Sequence, residues 1–296
     1  MNNVDAMINH SPVTFGQTDA FNAGDVAIVG AGCGQLDLMT IKAARIVAQA
    51  DALVFDSLVS SDILTLVSTQ CQRHFVGKRC GQPSVKQDDI NQLLAKLARQ
   101  GLKVVRLKGG DPHIFGRGCE EALYLAQRGI RSQFFAGVTA ALGCASSTGI
   151  PLTFRGIARS VTLITGTRMS DEDNSSISMQ WGALLAAQST LVFYMGKEQA
   201  RSISSGLIAA KCSAKLPVAF VTNGGRSNQL ITYSTVTDMG ADALTIKDSG
   251  PTLIIIGEVV AVGQQLSQLL AGIEYGHDKR IDHLQGDGYL DEVRYA

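Results

Sequence analysis

Short apolar runs rich in β-branched residues alternate along this chain with stretches of helical periodicity, and that alternation limits the fold severely. The runs lie at residues 26–29, 52–55, 73–76, 104–107 and 133–135. A second series begins near Val161 and continues at 190–194, 218–221, 230–235 and 253–257. The clearest helical pattern puts Ile90, Leu93, Leu94, Leu97 and Ala98 on one face. Asp88 and Asp89 stand near its start, where carboxylates favour the positive helix end, and Gly101 supplies a stop after it. In the first series, strands alternating with helices predict a parallel sheet covered on both faces. Handedness then gathers the loops that follow the strands along one edge, where open α/β sheets bind ligands.

Between the two series lies a small-residue stretch, 137–149, that reads as a helix linking two domains. The expected division is a flexible leader over 1–23, an N-terminal α/β domain over 24–137, a C-terminal α/β domain over 138–272 and a polar tail over 273–296. Residues 169–179 read as a polar surface loop. With 26 basic and 26 acidic residues the formal charge is zero, which disfavours a globally basic nucleic-acid binder. No apolar run reaches the length of a membrane span, and the start lacks the marks of a secretory signal. Six cysteines fall at irregular gaps without a Cys-x-x-Cys pair. They read as reduced thiols of a cytoplasmic protein, with neither a metal site nor a disulfide framework.

Two glycine loops carry the chemistry. Gly30-Ala-Gly-Cys-Gly34 follows the first strand, but a dinucleotide fingerprint would need a third glycine where Gln35 stands. By itself it reads more readily as a tight turn than as a phosphate loop. The second loop, Lys108-Gly-Gly-Asp-Pro-His-Ile-Phe-Gly-Arg-Gly118, follows the fourth strand. Its glycine pair frees the backbone, Asp111 adds an acceptor suited to ribose hydroxyls or an amino group, and Pro112 fixes the turn. Arg106, Lys108 and Arg117 gather positive charge there; the plain alternative is a solvated basic loop.

The segment from Val105 to Gly118, followed by Glu120-Glu121, resembles uroporphyrinogen-III C-methyltransferase of the S-adenosylmethionine-dependent tetrapyrrole methylases. Asp56-Ser-Leu-Val-Ser60, Val76-Gly-Lys-Arg79, Gly137-Val-Thr-Ala-Ala-Leu142, Gly149-Ile-Pro-Leu-Thr153 and Thr190-Leu-Val-Phe-Tyr-Met-Gly196 extend the likeness, which spans roughly residues 24–265. The resemblance implies two α/β domains with the active site in the cleft between them, and a homodimer. It implies methylation of two ring carbons of uroporphyrinogen III, giving precorrin-2 and S-adenosylhomocysteine. Asp56 takes the general-base position, against a plain reading as a turn or cap aspartate. Lys78 takes the proton-donor position, or serves as a fixed cation for a propionate.

The donor site carried over by position comprises Cys33, Gly109, Gly110, Asp111, Ile114, Thr139, Ala140, Met195 and Gly224. Core packing is the plain alternative for Met195, and a helix start for Thr139 and Ala140. The substrate is an octacarboxylate, so Lys78, Arg79, Lys108, Arg117, Arg155 and Arg159 are the expected cations. The chain departs from the family at Cys33, where proline is usual, and at Gln35, where aspartate is usual. It departs again at Ser57, where arginine is common, and at Ala136, where proline is usual. A methylase of a later precorrin, or a non-catalytic binder of donor or tetrapyrrole, is the alternative; a dinucleotide oxidoreductase fails at Gln35. Later pathway steps are expected to fall to other proteins.

Overall fold

The computed structural model describes residues 21–77, 85–166, 179–248 and 250–273. Among the described residues, ten strands form two five-stranded sheets. The first holds β1 (Val26–Gly30), β2 (Ala52–Phe55), β3 (Gln72–Phe75), β4 (Val104–Lys108) and β5 (Ser132–Phe135), in the order β3-β2-β4-β1-β5. Every pairing in it is parallel. Period-two alternation assigns its side chains to two cores. Ala27, Val29, Leu53, Val105 and Leu107 pack with helix α1 (Ile41–Val47). Val26, Ile28, Val54 and Val104 pack with α2 (Gln87–Arg99) and Leu125 of α3 (Gly118–Ala126). Both faces are thereby covered. The helix read from Ile90 to Ala98 is α2, followed by Gly101 at φ +78°. Phe21, within the stretch read as leader, is 6% exposed and packs in the first core.

The second sheet holds β6 (Val161–Thr165), β7 (Thr190–Tyr194), β8 (Pro217–Thr222), β9 (Leu230–Thr235) and β10 (Thr252–Ile256), in the order β6-β7-β10-β8-β9. This sheet is mixed, unlike the first. Only β6 and β7 run parallel; β10 is antiparallel to β7 and to β8, and β9 to β8. The reason is connectivity. Residues 223–229 turn β8 back on itself as a hairpin into β9, which reverses the chain. The following helix α7 (Met239–Thr245) carries it across so that β10 keeps the direction of β9. Apolar periodicity is blind to strand direction.

Linking the sheets is α4 (Ala140–Thr148), ended by Gly149 at φ +70°. Ala141 and Cys144 of α4 pack on Val192, Ala219, Val221 and Ile255 of the second sheet, beside Val259 and Val260 of α8 (Val259–Ala271). Cys33, from the loop after β1, joins that core, so the first lobe reaches into the second. On the opposite face of this sheet, α5 (Trp181–Ala186), α6 (Ala200–Ala209) and α7 pack against Phe193, Phe220 and Ile254. Residues 1–20, 167–178 and 274–296 lie outside the described residues. So do most of the polar loop, nearly all of the leader and nearly all of the tail.

Candidate active site

 The two glycine loops, far apart in the sequence, meet in one structure. They meet because β1 and β4 are neighbours in the first sheet. Gly32 N–H donates to the Gly110 carbonyl at 3.2 Å, and Gly110 N–H donates back to the Gly32 carbonyl at 2.8 Å. Gly110 holds φ +69°, which a Cβ would strain. A Cβ on Gly30 would stand 2.6 Å from the Gly110 carbonyl oxygen and 2.6 Å from the Gly137 nitrogen. The loops after β1, β4 and β5 therefore approach one another backbone to backbone. Asp111 locks them: Oδ1 accepts from His113 N–H at 2.9 Å and Oδ2 from Gly137 N–H at 3.0 Å.

This loop junction forms one wall of a cleft of about 540 Å³. The opposite wall comes from the second lobe: Thr139, Ala140, Cys144, Tyr194, Met195, Gly224 and Arg226. Tyr194 pins the start of α4. Its hydroxyl shares a 2.7 Å hydrogen bond with Thr139 and accepts from Ala141 N–H at 3.0 Å. Burial pushes the Tyr194 phenol above its ordinary range. Phe115 reaches over from the first lobe to meet the Tyr194 ring at 5.0 Å. Phe115, Arg117 and Met195 line the cleft and hold positive φ, as does Asn223 beside Gly224. Such strained backbone gathers where a site fixes its geometry.

Asp56, just past β2, lines the same cleft. Its Oδ1 accepts from Leu58 N–H at 3.0 Å, and its Oδ2 lies 3.6 Å from Arg106. The turn reading and the cleft position thus hold together. Beneath it sits a buried charge cluster. Glu121 is fully buried, and its Oε1 accepts from Arg106 Nε at 3.1 Å, Lys108 Nζ at 2.8 Å and Gln87 Nε2 at 3.1 Å. Burial, reinforced by the neighbouring Arg106 charge, lowers the Lys108 ammonium pKa, and Glu121 opposes that shift. At the donor end, the Cys33 thiol donates to the Gly224 carbonyl at 3.3 Å. Hydrogen bonding with Cys144, and then the Arg226 charge, lowers the Cys33 thiol pKa against the effect of burial, while Cys144 is pushed up.

Residues 25–240 match the family described as tetrapyrrole (corrin/porphyrin) methylases. The chain belongs to that family. The methylase is 46% identical over 244 residues to siroheme synthase 2 of Pectobacterium atrosepticum, and 45% identical to siroheme synthase of Salmonella typhi. These matches cover 82% of the methylase and 52% of each relative, so the chain spans about half the length of those proteins. Among solved structures it resembles uroporphyrin-III C-methyltransferase of Thermus thermophilus, complexed with S-adenosylhomocysteine. The TM-score is 0.68 at 32% identity, covering 80% of the methylase and 99% of that chain. A cobalt precorrin-4 methyltransferase matches at TM-score 0.70 and 22% identity, over 83% and 99% of the two chains, a likeness of fold alone. The methylase is thus a methyltransferase with the two-sheet α/β fold of its family.

The cleft brings together Cys33, Gly109, Gly110, Asp111, Ile114, Thr139, Ala140, Met195 and Gly224, with Asp56, Lys108 and Arg117. Met195 is 51% exposed, so the core-packing alternative fails for it. Thr139 and Ala140 line the cleft and also begin α4, so both readings describe the same turn. Lys108 is buried against Glu121, and Arg117 is paired with Glu120 at 2.6 Å. Arg155 and Arg159 stand exposed on a loop closed by the Phe154–Ala158 bridge, away from the cleft lining. Lys78 and Arg79 lie outside the described residues. Sequence reasoning missed Tyr194, Arg226 and the central role of Glu121. The last had a signal: two cations in one central strand require a buried counter-charge.

Among the described residues no helix is long and apolar enough to cross a membrane, and no cluster of potential metal ligands occurs.

Proposed function

We propose that this methylase transfers methyl groups from S-adenosylmethionine to two ring carbons of uroporphyrinogen III, forming precorrin-2 and S-adenosylhomocysteine. The observation that carries the reading is that Asp56 lines the same cleft as the paired glycine loops. A base and a donor cradle then share a single space.

The residues fit the donor. Backbone at Gly109 and Gly110 borders the cleft without a side chain to fill it, and a Cβ on Gly109 would stand 2.5 Å from the Leu58 side chain. Gly109, Gly110, Asp111, Thr139, Ala140, Met195 and Gly224 would hold it. When bound, the donor supplies a methyl group already activated on a sulfonium. The protein's task is alignment and proton removal. Asp56 Oδ2 is the basic atom, since Oδ1 is engaged by the Leu58 amide. Arg106 lies 3.6 Å from that oxygen and helps to hold the carboxylate in place to accept the ring-carbon proton. Lys78 keeps the role of proton donor on the resemblance alone. Phe115 packing on Tyr194 narrows the opening and shields the reacting atoms from water.

The test is incubation with S-adenosylmethionine and uroporphyrinogen III, followed by mass and absorbance measurements. Two added methyl groups support the proposal. Tight donor binding without turnover would identify a binder, and methylation of a later precorrin alone would identify a related methylase. A cytoplasmic homodimer belongs to the same reading. The apolar groove formed by Ile150, Pro151, Phe154, Val262 and Leu266 supports the dimer, and light scattering of the purified chain tests it.

A further inference from the structure

Among the described residues, five cations line the cleft: Arg106, Lys108, Arg117, Lys197 and Arg226. Their charges are not equally available. Arg106 and Lys108 are spent on Glu121, and Arg117 on Glu120. Lys197 is drawn away to the Ile246 and Asp248 carbonyls at 3.0 and 2.8 Å. Arg226 differs. It sits in the β8–β9 hairpin, two residues after Gly224, and one terminal NH2 donates to the Leu58 carbonyl at 2.8 Å. That bond crosses the cleft from one lobe to the other. Among the described residues no carboxylate neutralises it. A guanidinium carries five N–H donors in a planar fork, so one bond leaves most of the fork open.

We propose that Arg226 is a carboxylate-binding residue of the cleft, and that it takes a side-chain carboxylate of the tetrapyrrole, so that the ring to be methylated is held against Asp56. The inference rests on the function proposed above. Leu58 is two residues beyond Asp56 and donates its own amide to the Asp56 carboxylate. Holding the Leu58 carbonyl therefore ties Arg226 to the turn that carries the base. Ser57, between them, brings no charge. A pyrrole ring presented to Asp56 carries its acidic side chains into reach of that fork, and paired charge-assisted bonds would fix its orientation. Arg226 also stands near the donor end, where its charge adds to the larger effect of the Cys144 hydrogen bond in lowering the Cys33 thiol pKa. The donor's own carboxylate is thus the rival ligand of the same chemistry.

The experiment compares the wild type with R226Q and R226K. It measures S-adenosylhomocysteine affinity by calorimetry, KM and kcat for uroporphyrinogen III, and direct binding of the oxidised octacarboxylate uroporphyrin III. Loss of a charge-assisted contact predicts that R226Q raises the tetrapyrrole KM by about ten-fold or more, with R226K recovering part of it. Donor affinity should stay unchanged. An unchanged KM overturns the inference. So does a weakened donor affinity with tetrapyrrole binding intact, which would assign Arg226 to the donor carboxylate. If the wild type fails to turn over uroporphyrinogen III, the functional reading fails by itself. Direct binding of uroporphyrin III then decides for Arg226: weaker binding by R226Q supports it, and equal or absent binding in both proteins overturns it.

Discussion

Replacing Glu121 by glutamine removes one negative charge from beneath the cleft and keeps nearly the same shape. Glu121 is fully buried, and the side chains of Arg106 and Lys108 are only 5% and 6% exposed. At an effective dielectric of about 20, a pair at 2.8 Å attracts by roughly 6 kcal/mol before desolvation is charged against it. Breaking a buried pair leaves the partner charge uncompensated, a cost of about 3–5 kcal/mol, or roughly 6–20 °C in melting temperature for a chain of this size. Calorimetric melting of E121Q measures it. Adding K108M to E121Q removes the stranded ammonium and should restore part of the loss, giving a coupling energy in a double-mutant cycle.

The pH dependence carries a sign. Burial lowers the folded Lys108 pKa below its ordinary 10.5, so the unfolded chain holds more protons between the two values. Stability from this group therefore rises with pH across that window, and its penalty is complete below the folded pKa. In E121Q the opposing pull of Glu121 is gone, so the window should widen toward lower pH. A melting temperature unchanged in E121Q, or strictly additive effects in the cycle, would refute the reasoning.

Three further outcomes are expected. Asp56→Asn should keep S-adenosylhomocysteine affinity and lose turnover; retained turnover removes Asp56 as the base. Tyr194→Phe strands Thr139 and the Ala141 amide. It should weaken donor binding and cost about 1–3 kcal/mol in stability, and calorimetry showing neither change would exclude the pinning role. Cys33 should react with iodoacetamide at lower pH than an ordinary thiol of pKa 9.0, because Cys144 and Arg226 favour its thiolate. S-adenosylhomocysteine should protect it, and Cys144→Ala should move the labelling midpoint up. A midpoint that ignores Cys144 contradicts the hydrogen-bonded pair.

Much of this molecule is legible in its residues. Each described strand overlaps a run read from the sequence, and β1, β7, β8 and β10 read most clearly, because burial on both faces of a sheet demands continuous apolar sequence. The helix over Ile90 to Ala98 and the glycine stop after it are equally local. Boundaries shift by a residue or so where hydrogen bonding carries a strand beyond its apolar run, as at Lys108. The direction of β10 was hidden, since a strand's pattern is the same read either way. Among site residues, Asp56 and the Gly109-Gly-Asp111 turn stood out through composition and motif. Arg226 did not, because an arginine in a polar hairpin looks like any solvated charge until its partner 168 positions away is known.

The glycine loops mark the same division. The residues alone determined that two flexible loops would follow two parallel strands, and that one held an acceptor and several cations. Tertiary structure decided that Gly32 and Gly110 bond to each other, since β4 is inserted beside β1 in the sheet. It also decided which cations are free. Arg106, Lys108 and Arg117 look alike as sequence, yet Glu121 and Glu120 neutralise them and leave Arg226 facing the cleft. The physical reason is that backbone propensity acts between neighbours in the chain, whereas charge is compensated only by what the fold brings within a few ångströms.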